Sequence, residues 1–469
     1  MQFLYILLAL FIFGILIFIH ELGHFVAARL CGVQVLEFAI GMGPKLLSKK
    51  SKKSGTVYSL RAFPIGGFIN MLGENGMEAV QGSAEGEENG SEEQNATESD
   101  QTPDEASNME TANESDVAIK QDDPRAYCNQ SVWKRILISL AGPAMNVVLG
   151  FVLMLVFVLV SGHSALGTNE IAGFYVGFSG QEAYQGFQPG DYLYSFDTVD
   201  DSNRIFSFAH FQNKVAQDED KIFNIYVLRT NPETSVSEPV LLENVTLTEE
   251  IVKDPNYFKI AGSEASGLQV GDTVIKVNST RVHTYNELAY EVMNQGYEPM
   301  IFTVLRNGEK QEVPITVRQV TEEGIVFGEL DFILYRESHF DFVTVVKHTW
   351  YRSLSTVKMV YDSLLGLITG RFGLSAVSGP VGITKTVSDA AQMGFLNLLY
   401  LVTVISINLG VMNLLPFPAL DGGHLLIYLI EIIRRKPMKK EVEGIINLVG
   451  LIILLTVAVL IAIKDIISL

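Results

Sequence analysis

Two histidines and a glutamate stand together near the start of the chain, in the run His20-Glu21-Leu22-Gly23-His24. Positions i and i+4 of a helix lie on one face, so His20 and His24 can bind a single Zn²⁺ through their imidazole nitrogens. Glu21 would then lie beside the metal, where its carboxylate can take a proton from water and pass it to a leaving amide nitrogen. This spacing indicates metal-assisted hydrolysis of an amide.

The place of this motif in the chain decides between a catalytic and a trivial interpretation. H-E-x-x-H also recurs by chance, and at the end of an apolar helix its three polar side chains would merely be solvated. Ionisable groups at membrane depth are costly, and they are rare there without a partner or a function. A metal site therefore requires a further polar group in another apolar part of the chain.

A third candidate ligand follows an interruption in a later apolar run. Residues 408–424 read NLGVMNLLPFPALDGGH, in which two prolines and two glycines break the helical pattern around Asp421. Such breaks are tolerated in a membrane where the backbone lines a cavity rather than lipid. Two histidines and one carboxylate leave a fourth tetrahedral position open, as catalytic zinc sites do. His424 is an alternative ligand, but the set of His20, His24 and Asp421 is complete without it.

Four nearly charge-free runs would position these residues within a membrane. They extend from Phe3 to Ile19, Ile136 to Val160, Phe395 to Leu420 and Ile445 to Ile463, and each is long enough to cross about 30 Å of hydrocarbon. A signal peptide is an alternative for the first run. However, no basic region precedes it, and it continues into the histidine motif instead of a small-residue cleavage site. With 48% hydrophobic residues among 469, the chain is expected to be a polytopic membrane protein.

Lysine and arginine cluster in two loops, which predicts the orientation of the chain. The clustered residues are Lys45, Lys49, Lys50, Lys52, Lys53 and Arg61 after the first run, and Arg434, Arg435, Lys436, Lys439 and Lys440 before the last. By the positive-inside rule both loops face the cytosol. Both termini, and the large non-membrane block from residue 162 to about 340, are then expected on the outer side.

Most of the net charge of −19 lies in one segment. Residues 74–123 hold sixteen acidic residues against one basic residue, Lys120, which gives −15. The segment is rich in Ser, Asn, Gly and Gln, so it cannot bury enough apolar surface to fold and is expected to be disordered. No basic stripe elsewhere predicts nucleic-acid binding. Cys31 and Cys128, both on the predicted cytosolic side, are not expected to form a disulfide.

The predicted outer region contains an internal repeat. Residues 186–191, GFQPGD, return as GLQVGD at 267–272, and VLR at 227–229 returns at 304–306. Around the second copy the pattern runs strand, helix, then two strands joined by Asn307-Gly308, a hairpin signal. The repeat resembles a pair of PDZ domains of the bacterial-protease type, and a generic pair of small β-domains is the alternative.

Beyond the repeat, apolar residues from Val346 to Ile368 recur at three- and four-residue steps, opposite Lys347, Arg352, Lys358 and Asp362. This pattern predicts an amphipathic helix. It would either lie on the outer membrane face or pack against the PDZ-like domains.

Together these motifs resemble the site-2 protease family of intramembrane zinc metalloproteases, and most closely its bacterial regulator-of-sigma-E protease branch. The likeness is carried by HELGH at 20–24, AGPAMN at 141–146, the tandem repeat, and NLLPFPALDGG at 413–423. It covers nearly the whole chain apart from the acidic segment, which departs from the family pattern. The resemblance implies that Asp421 is the third zinc ligand. It also implies that Asn413, with Asn408 as a further candidate, holds the substrate backbone.

The resemblance further implies regulated intramembrane proteolysis in a bacterial inner membrane, as part of a stress response. An upstream site-1 type protease would trim a single-pass protein, and this enzyme would then cut its transmembrane helix. Anti-sigma factors and remnant signal peptides are the expected substrates, with the PDZ-like domains periplasmic and the zinc site toward the cytosol. A non-enzymatic PDZ scaffold and a metal transporter are the rival functions. The complete motif argues against the first, and the scarcity of other polar residues along the spans argues against the second.

The predicted fold is thus an α-helical polytopic membrane protein, with four transmembrane helices and two β-rich PDZ-like domains inserted between helices 2 and 3. The first predicted segment, 1–73, holds the first helix and a membrane-associated β-hairpin over 56–70. The others are the acidic insertion (74–125), the second helix (126–161), the two PDZ-like domains (162–249 and 250–322), the amphipathic helix with its connector (323–393), and the last two helices (394–469).

Overall fold

A computed structural model describes residues 2–74, 123–199, 203–205, 207–230, 237–260, 267–295, 299–322, 325–337, 339–371 and 377–467. The predicted disordered insertion lies almost wholly outside these residues. Internal contacts divide the chain into two units. The first comprises Met1–Leu149, Ser378–Met393 and Ile405–Leu469, and the second comprises Gly150–Val377 and Gly394–Val404.

The helices are distributed over both units. In chain order, those of the described residues are α1 (Gln2–Leu30), α2 (Val132–Ser161), α3 (Phe208–Gln217), α4 (Glu249–Lys253), α5 (Tyr285–Gln295), α6 (Phe342–Ile368), α7 (Pro380–Met393), α8 (Phe395–Asn413), α9 (Asp421–Arg434) and α10 (Lys440–Ile467). Short 3₁₀ helices, Tyr127–Asn129 and Gly162–Ala165, flank α2.

Four helical stretches within the described residues are long and apolar enough to cross a membrane: Leu4–Leu30, Val132–Ala165, Phe395–Asn413 and Glu441–Asp465. The third is shorter than the predicted run to Leu420, because α8 ends at Asn413. Proline lacks an amide hydrogen and excludes the preceding residue from helical geometry, so Pro416 and Pro418 prevent the helix from continuing. That all four stretches are inserted stays a prediction.

The strands, in chain order, are β1 (Val35–Lys50), β2 (Val57–Met71), β3 (Gly167–Phe174), β4 (Val176–Phe178), β5 (Tyr192–Phe196), β6 (Ile222–Thr230), β7 (Ser237–Thr246), β8 (Phe258–Ile260), β9 (Thr273–Val277), β10 (Thr280–Arg281), β11 (Met300–Arg306), β12 (Glu309–Ile315), β13 (Arg318–Glu322), β14 (Ile325–Glu329) and β15 (Phe332–Arg336). They pair as β1-β2, β13-β14, β7-β6-β5-β4-β8, and β12-β11-β9-β3-β15 with β10 beside β9.

The β1-β2 sheet folds back on itself. Residues 37–40 pair with 67–70 on one side and with 57–60 on the other, and residues 57–60 also pair with 47–50. The predicted hairpin over 56–70 is therefore only part of a larger sheet that includes residues 35–50. Gly41 and Gly43 have φ of 83° and 86° at register shifts in β1. Bulges of this kind interrupt the two-residue period by which a strand is recognised in sequence.

The second unit contains the two repeats, and the pairing of their strands is nested. The first repeat supplies β4 to β8, which form one sheet around Phe187, Phe211 and Phe258. The second sheet takes β9, β11 and β12 from the second repeat, but it also takes β3 from before the first repeat. The predicted boundaries of 162–249 and 250–322 treated the repeats as consecutive. Strand β3, within the predicted first domain, pairs instead with β9 and β15, and β8, within the predicted second domain, pairs with β4 of the first sheet. These pairings join residues distant in sequence, so no local pattern marks them.

An Asp–Arg ion pair within each repeat explains why the two short motifs occur together in both copies. Arg229 Nη2 lies 2.7 Å from Asp191 Oδ2, and Arg306 Nη2 lies 2.6 Å from Asp272 Oδ2. Both aspartates are buried, and each arginine contacts both oxygens of its carboxylate. A buried carboxylate is stable only when it is paired. The GD and VLR motifs therefore recur as the two halves of one bidentate contact.

Helix α6 is amphipathic, but its polar side faces inward. Trp350 and Leu354 on its predicted apolar stripe are 53% and 40% exposed, whereas Arg352 is 8% exposed. The Arg352 guanidinium donates to the carbonyl oxygen of Ala165 and lies over the ring of Phe157. Lys358 pairs with Glu291 of α5 and Tyr290 of α5 donates to Asp362, so α6 packs against the second repeat, while its outward apolar stripe would suit a membrane surface.

Candidate metal centre

The three predicted metal ligands lie together inside the first unit. His20 Nε2 is 3.1 Å from Asp421 Oδ2, and His24 Nε2 is 3.4 Å from Asp421 Oδ1. One ligand atom from each of the three residues falls within 4.8 Å of the others. Both histidines are buried. The fold thus brings together ligands as many as 401 positions apart in sequence, which a shared metal site requires.

Close packing of α1 against α2 creates the space for this centre. A Cβ built on Gly23 would lie 2.3 Å from the carbonyl oxygen of Ala141, so the backbones of α1 and α2 meet there. A Cβ built on Gly142 would lie 2.2 Å from His24 Nε2. Small residues permit such close helix approach within membranes. Gly142 therefore leaves room for the imidazole of His24.

The backbone of α2 orients His24. His24 Nδ1 is 2.8 Å from the carbonyl oxygen of Ile138, and this oxygen can only accept a hydrogen bond. The Nδ1–H group must therefore donate, which leaves the lone pair of Nε2 directed toward Asp421. Fixing the tautomer of a metal-binding histidine through its second nitrogen is a common arrangement in metalloproteins.

Asn146 contacts the second ring nitrogen of His20, as the Ile138 carbonyl does for His24. The sequence interpretation missed this residue. Its Nδ2 is 3.3 Å from His20 Nδ1, while its buried Oδ1 has no hydrogen-bond partner among the described residues. An amide oxygen and nitrogen are exchanged by a 180° rotation. That rotation lets Oδ1 accept from His20 Nδ1–H, which leaves the Nε2 lone pair of His20 free for a metal. A buried amide within an apolar span was the available signal.

We expect Asn146→Ala to weaken zinc binding by about 10- to 100-fold, since loss of a partner that orients a ligand has this effect. Asn146→Asp, which retains an acceptor, should restore most of the affinity. Zinc competition with a chelating dye measures both. Ser406→Ala is the control, because the Ser406 hydroxyl donates only to the backbone oxygen of Asn146. Equal zinc affinity in Asn146→Ala and wild type would contradict this role.

Asp421 is positioned by the tight turn that begins α9. Asp421 is the first residue of this helix, and Ala419 shortly before it has φ of 69°, which is rare for a residue other than glycine. A Cβ built on Gly422 would lie 2.2 Å from the carbonyl oxygen of Leu415, and one on Gly423 would lie 2.3 Å from that of Phe417. Only glycine fits at both positions, so the LDGG run follows from the turn geometry.

A cavity of about 320 Å³ surrounds the centre, and Glu21, Asn413, His424 and Phe68 are among its lining residues. Glu21 lies one residue from His20 without being one of the three grouped ligands. His424 Nδ1 instead lies 3.3 Å from Glu443 Oε1. Asn408 is exposed and, among the described residues, is not part of the lining. The roles of all these residues stay predictions.

Tyr127, just before α2, forms part of the cavity wall. Its hydroxyl lies 2.7 Å from that of Tyr428. Burial raises the pKa of Tyr127 to about 12, although its contacts with Ser139 and Tyr428 lower it. This hydroxyl therefore stays protonated at neutral pH and can donate a hydrogen bond.

The donor set suits zinc. Two imidazole nitrogens and one carboxylate oxygen are ligands that Zn²⁺ accepts in a tetrahedral site with one position left open. The bound ion would supply Lewis acidity, which lowers the pKa of water and polarises a carbonyl. Glu21 lines the same cavity, and its predicted role is to accept the proton from the attacking water and deliver it to the amide nitrogen.

The centre and the apolar helices together define a membrane-embedded zinc metalloprotease. Over residues 8–457 the sequence matches peptidase family M50, and the chain belongs to that family. It is 28% identical to the regulator of sigma-W protease RasP of Bacillus subtilis, with 97% of this chain and 96% of the relative covered. It is also 27% identical to the zinc metalloprotease RasP of Geobacillus kaustophilus, with 97% and 96% covered. The predicted site-2 protease family, enzyme class and zinc cofactor are confirmed.

Proposed function

We propose that this enzyme cuts peptide bonds inside the transmembrane helices of single-pass proteins, after a site-1 type protease has trimmed them. The observation that carries the proposal is the position of His20, Glu21 and His24 within Leu4–Leu30, a helix apolar enough to span a membrane. A peptide bond reaches such a site most directly from within the bilayer. The name of the B. subtilis relative, a regulator of a sigma factor, supports anti-sigma factors as substrates, with remnant signal peptides as a second class.

We further propose a bacterial inner-membrane location with the zinc centre toward the cytosol and the β-domains outside. The two basic loops support this orientation through the positive-inside rule. Cysteine labelling in intact cells tests it, with single cysteines introduced at Lys52 and at Lys310. Labelling of the position 310 variant alone by an impermeant reagent is expected, and labelling of position 52 alone would invert the topology.

The edge of the β1-β2 sheet is proposed to receive the unwound substrate. Phe68, Ile69 and Met71 of the edge segment 67–71 line the zinc cavity. Within the described chain, residues 67–70 have a strand partner on one side only. An unpaired edge binds an extended peptide through main-chain hydrogen bonds. Substrate held this way would present its backbone to Glu21, with the Asn413 carboxamide as a further hydrogen-bonding group.

Phe68→Pro is expected to reduce substrate cleavage about tenfold or more while zinc content stays unchanged, because proline removes an amide hydrogen and distorts the edge. Phe68→Ala is the matched control, since it removes the ring but keeps the backbone donor. Turnover of a single-pass reporter in both variants provides the measurement. Ser59 lies between two paired segments, so Ser59→Pro tests the integrity of the whole sheet instead. Equal turnover in Phe68→Pro and Phe68→Ala would count against strand addition.

The two β-domains are proposed to exclude substrates that still carry a folded outer domain. The segment that contains both β-domains begins and ends at residues that pair with each other, since Gly167 lies opposite Arg336. Replacing residues 167–336 with a short linker should therefore permit cleavage of untrimmed substrate while leaving cleavage of trimmed substrate unchanged. Residues 176–260 form the sheet of the first repeat, and their ends also pair. Replacing only this segment tests whether loss of one β-domain is enough to permit cleavage of untrimmed substrate. If the larger deletion still rejects untrimmed substrate, the selection resides elsewhere, for example in α6.

The overall proposal is tested by co-expressing the chain with a tagged single-pass protein supplied in full-length and trimmed forms. A fragment ending within the transmembrane helix is expected from the trimmed form with the wild-type enzyme, and not with Glu21→Gln. Mass spectrometry locates the cut. A cut outside the helix, or a fragment that persists with Glu21→Gln, would overturn intramembrane cleavage by this site.

A further inference from the structure

A second cavity, of about 600 Å³, lies between α1 and the β1-β2 sheet. Its walls are apolar: α1 contributes Phe18, Leu22 and Phe25, and the sheet contributes Leu47, Tyr58 and Leu60 among others. Leu47 and Leu60 are also 68% and 43% exposed. An exposed apolar groove of this size beside a helix long enough to span a membrane needs an apolar occupant.

The strand register places one positive charge at the edge of this groove. Leu47 pairs with Leu60, and Lys49 pairs with Tyr58. Directly paired residues, and residues two apart on one strand, project from the same face of a sheet. Lys49 therefore shares the groove face with Leu47, Tyr58 and Leu60, and it lines the cavity together with Ser48 and Ser59.

Among the described residues, no acidic side chain pairs with Lys49. Residues 41–73 contain six lysines or arginines and no aspartate or glutamate. Glu37 is paired with Lys45 and Arg61, whereas Lys49, Lys50, Lys52 and Lys53 are exposed and form no ion pair within the described chain. Burial alone would raise the pKa of Glu37, but hydrogen bonds from Ser59, Arg61 and Lys45 hold it below its usual range. A compact positive patch thus adjoins an apolar groove.

We propose that this groove binds one anionic phospholipid of the surrounding bilayer, with an acyl chain against α1 and the phosphate at Lys49. An acyl chain suits the lining better than a peptide does, because polar partners for a peptide backbone occur only at the groove edge. Lysine stems pack on apolar surface while their ammonium groups reach the headgroup layer. Basic residues next to a membrane helix attract anionic lipids in particular.

Lipid in this groove would support the wall of the catalytic cavity. The sheet lines the groove with residues 58–60, and the same sheet lines the zinc cavity with Phe68, Ile69 and Met71. A Cβ built on Gly67 would lie 3.3 Å from Glu21 Cγ, so the backbone of the sheet passes close to the Glu21 side chain. An anionic lipid is therefore expected to increase cleavage by stabilising the sheet against α1.

Binding is measured without substrate, so the result does not depend on the proposed proteolysis. The full-length protein is equilibrated in a neutral detergent with phosphatidylglycerol or with phosphatidylcholine, and native mass spectrometry counts the retained lipid. We expect selective retention of one phosphatidylglycerol. Lys49→Gln should weaken retention about fivefold, the usual effect of one basic residue near an anionic surface. Leu47→Trp, which fills the groove but keeps Lys49, should abolish retention.

Lys436→Gln is the matched control, because it removes one exposed lysine from the other basic loop and should retain lipid as the wild type does. Cleavage in nanodiscs should then rise when phosphatidylglycerol is added to phosphatidylcholine, and this rise should be smaller for Lys49→Gln. Equal retention of the two lipids, or equal losses in Lys49→Gln and Lys436→Gln, would overturn the proposal. Unchanged retention in Leu47→Trp would place the lipid outside the groove.

Discussion

Replacing His20, His24 or Asp421 with alanine is expected to remove zinc and activity together, whereas Glu21→Gln should keep zinc and lose turnover. The first three side chains converge within 4.8 Å, and removal of one leaves too few ligands for tight binding. Glutamine keeps the shape of Glu21 but cannot accept the proton from water. A general base contributes about 10²- to 10⁴-fold to rate, so Glu21→Gln should lower kcat by that factor.

Metal analysis of the purified variants and turnover of a single-pass reporter separate these two classes. A chelator should inactivate the wild type, and added Zn²⁺ should restore it. His424→Ala serves as the control, because His424 lines the same cavity but contacts Glu443. If Asp421→Ala keeps full zinc occupancy and activity, Asp421 is not the third ligand and His424 becomes the next candidate.

Gly142→Ala is expected to disable the enzyme through a single methyl group. The added carbon would lie 2.2 Å from His24 Nε2 and 2.6 Å from Cε1, so either the imidazole or the helix must move. Because His24 Nδ1 is held by the Ile138 carbonyl, the ring cannot turn aside without losing that hydrogen bond. Displacement of a catalytic group by about 1 Å can cost about 10²-fold in rate, and we expect at least that loss, together with weaker zinc binding.

Gly444→Ala is the matched control, because a Cβ at Gly444 in α10 meets no atom within 4 Å. It should leave zinc content and turnover unchanged. Thermal unfolding of both variants distinguishes a local effect from general destabilisation. Normal zinc affinity and normal turnover in Gly142→Ala would contradict the packing argument.

The metal ligands were predictable because their chemistry imposes short, specific patterns. His20 and His24 share a helix face by spacing alone, and Asp421 stands out as a carboxylate beside a broken apolar helix. Asn146 lies within the AGPAMN motif at 141–146. Its role could be recognised only from its contact with His20 in the structure. Asn413, with Asn408 as a further candidate, was predicted to hold the substrate backbone. The structure places Asn413 in the cavity lining and leaves Asn408 exposed.

Helix α6 illustrates a pattern with an ambiguous direction. Periodicity identifies an apolar stripe and an opposite polar one, but it does not tell which of them faces the protein. The structure turns Trp350 outward and buries Arg352, and it pairs Lys358 with Glu291 of the second repeat.

The sequence by itself determined the apolar runs and the internal repeat, and it predicted the zinc ligands and the general base. Each of these depends on the identity and spacing of residues within one segment. Only the tertiary structure decided the pairing of β3 with the second repeat, the folding of β1 onto β2, and the clearance that Gly142 gives His24. These features depend on contacts between segments distant in sequence, where backbone distances of a few ångströms decide the outcome and no local pattern records them.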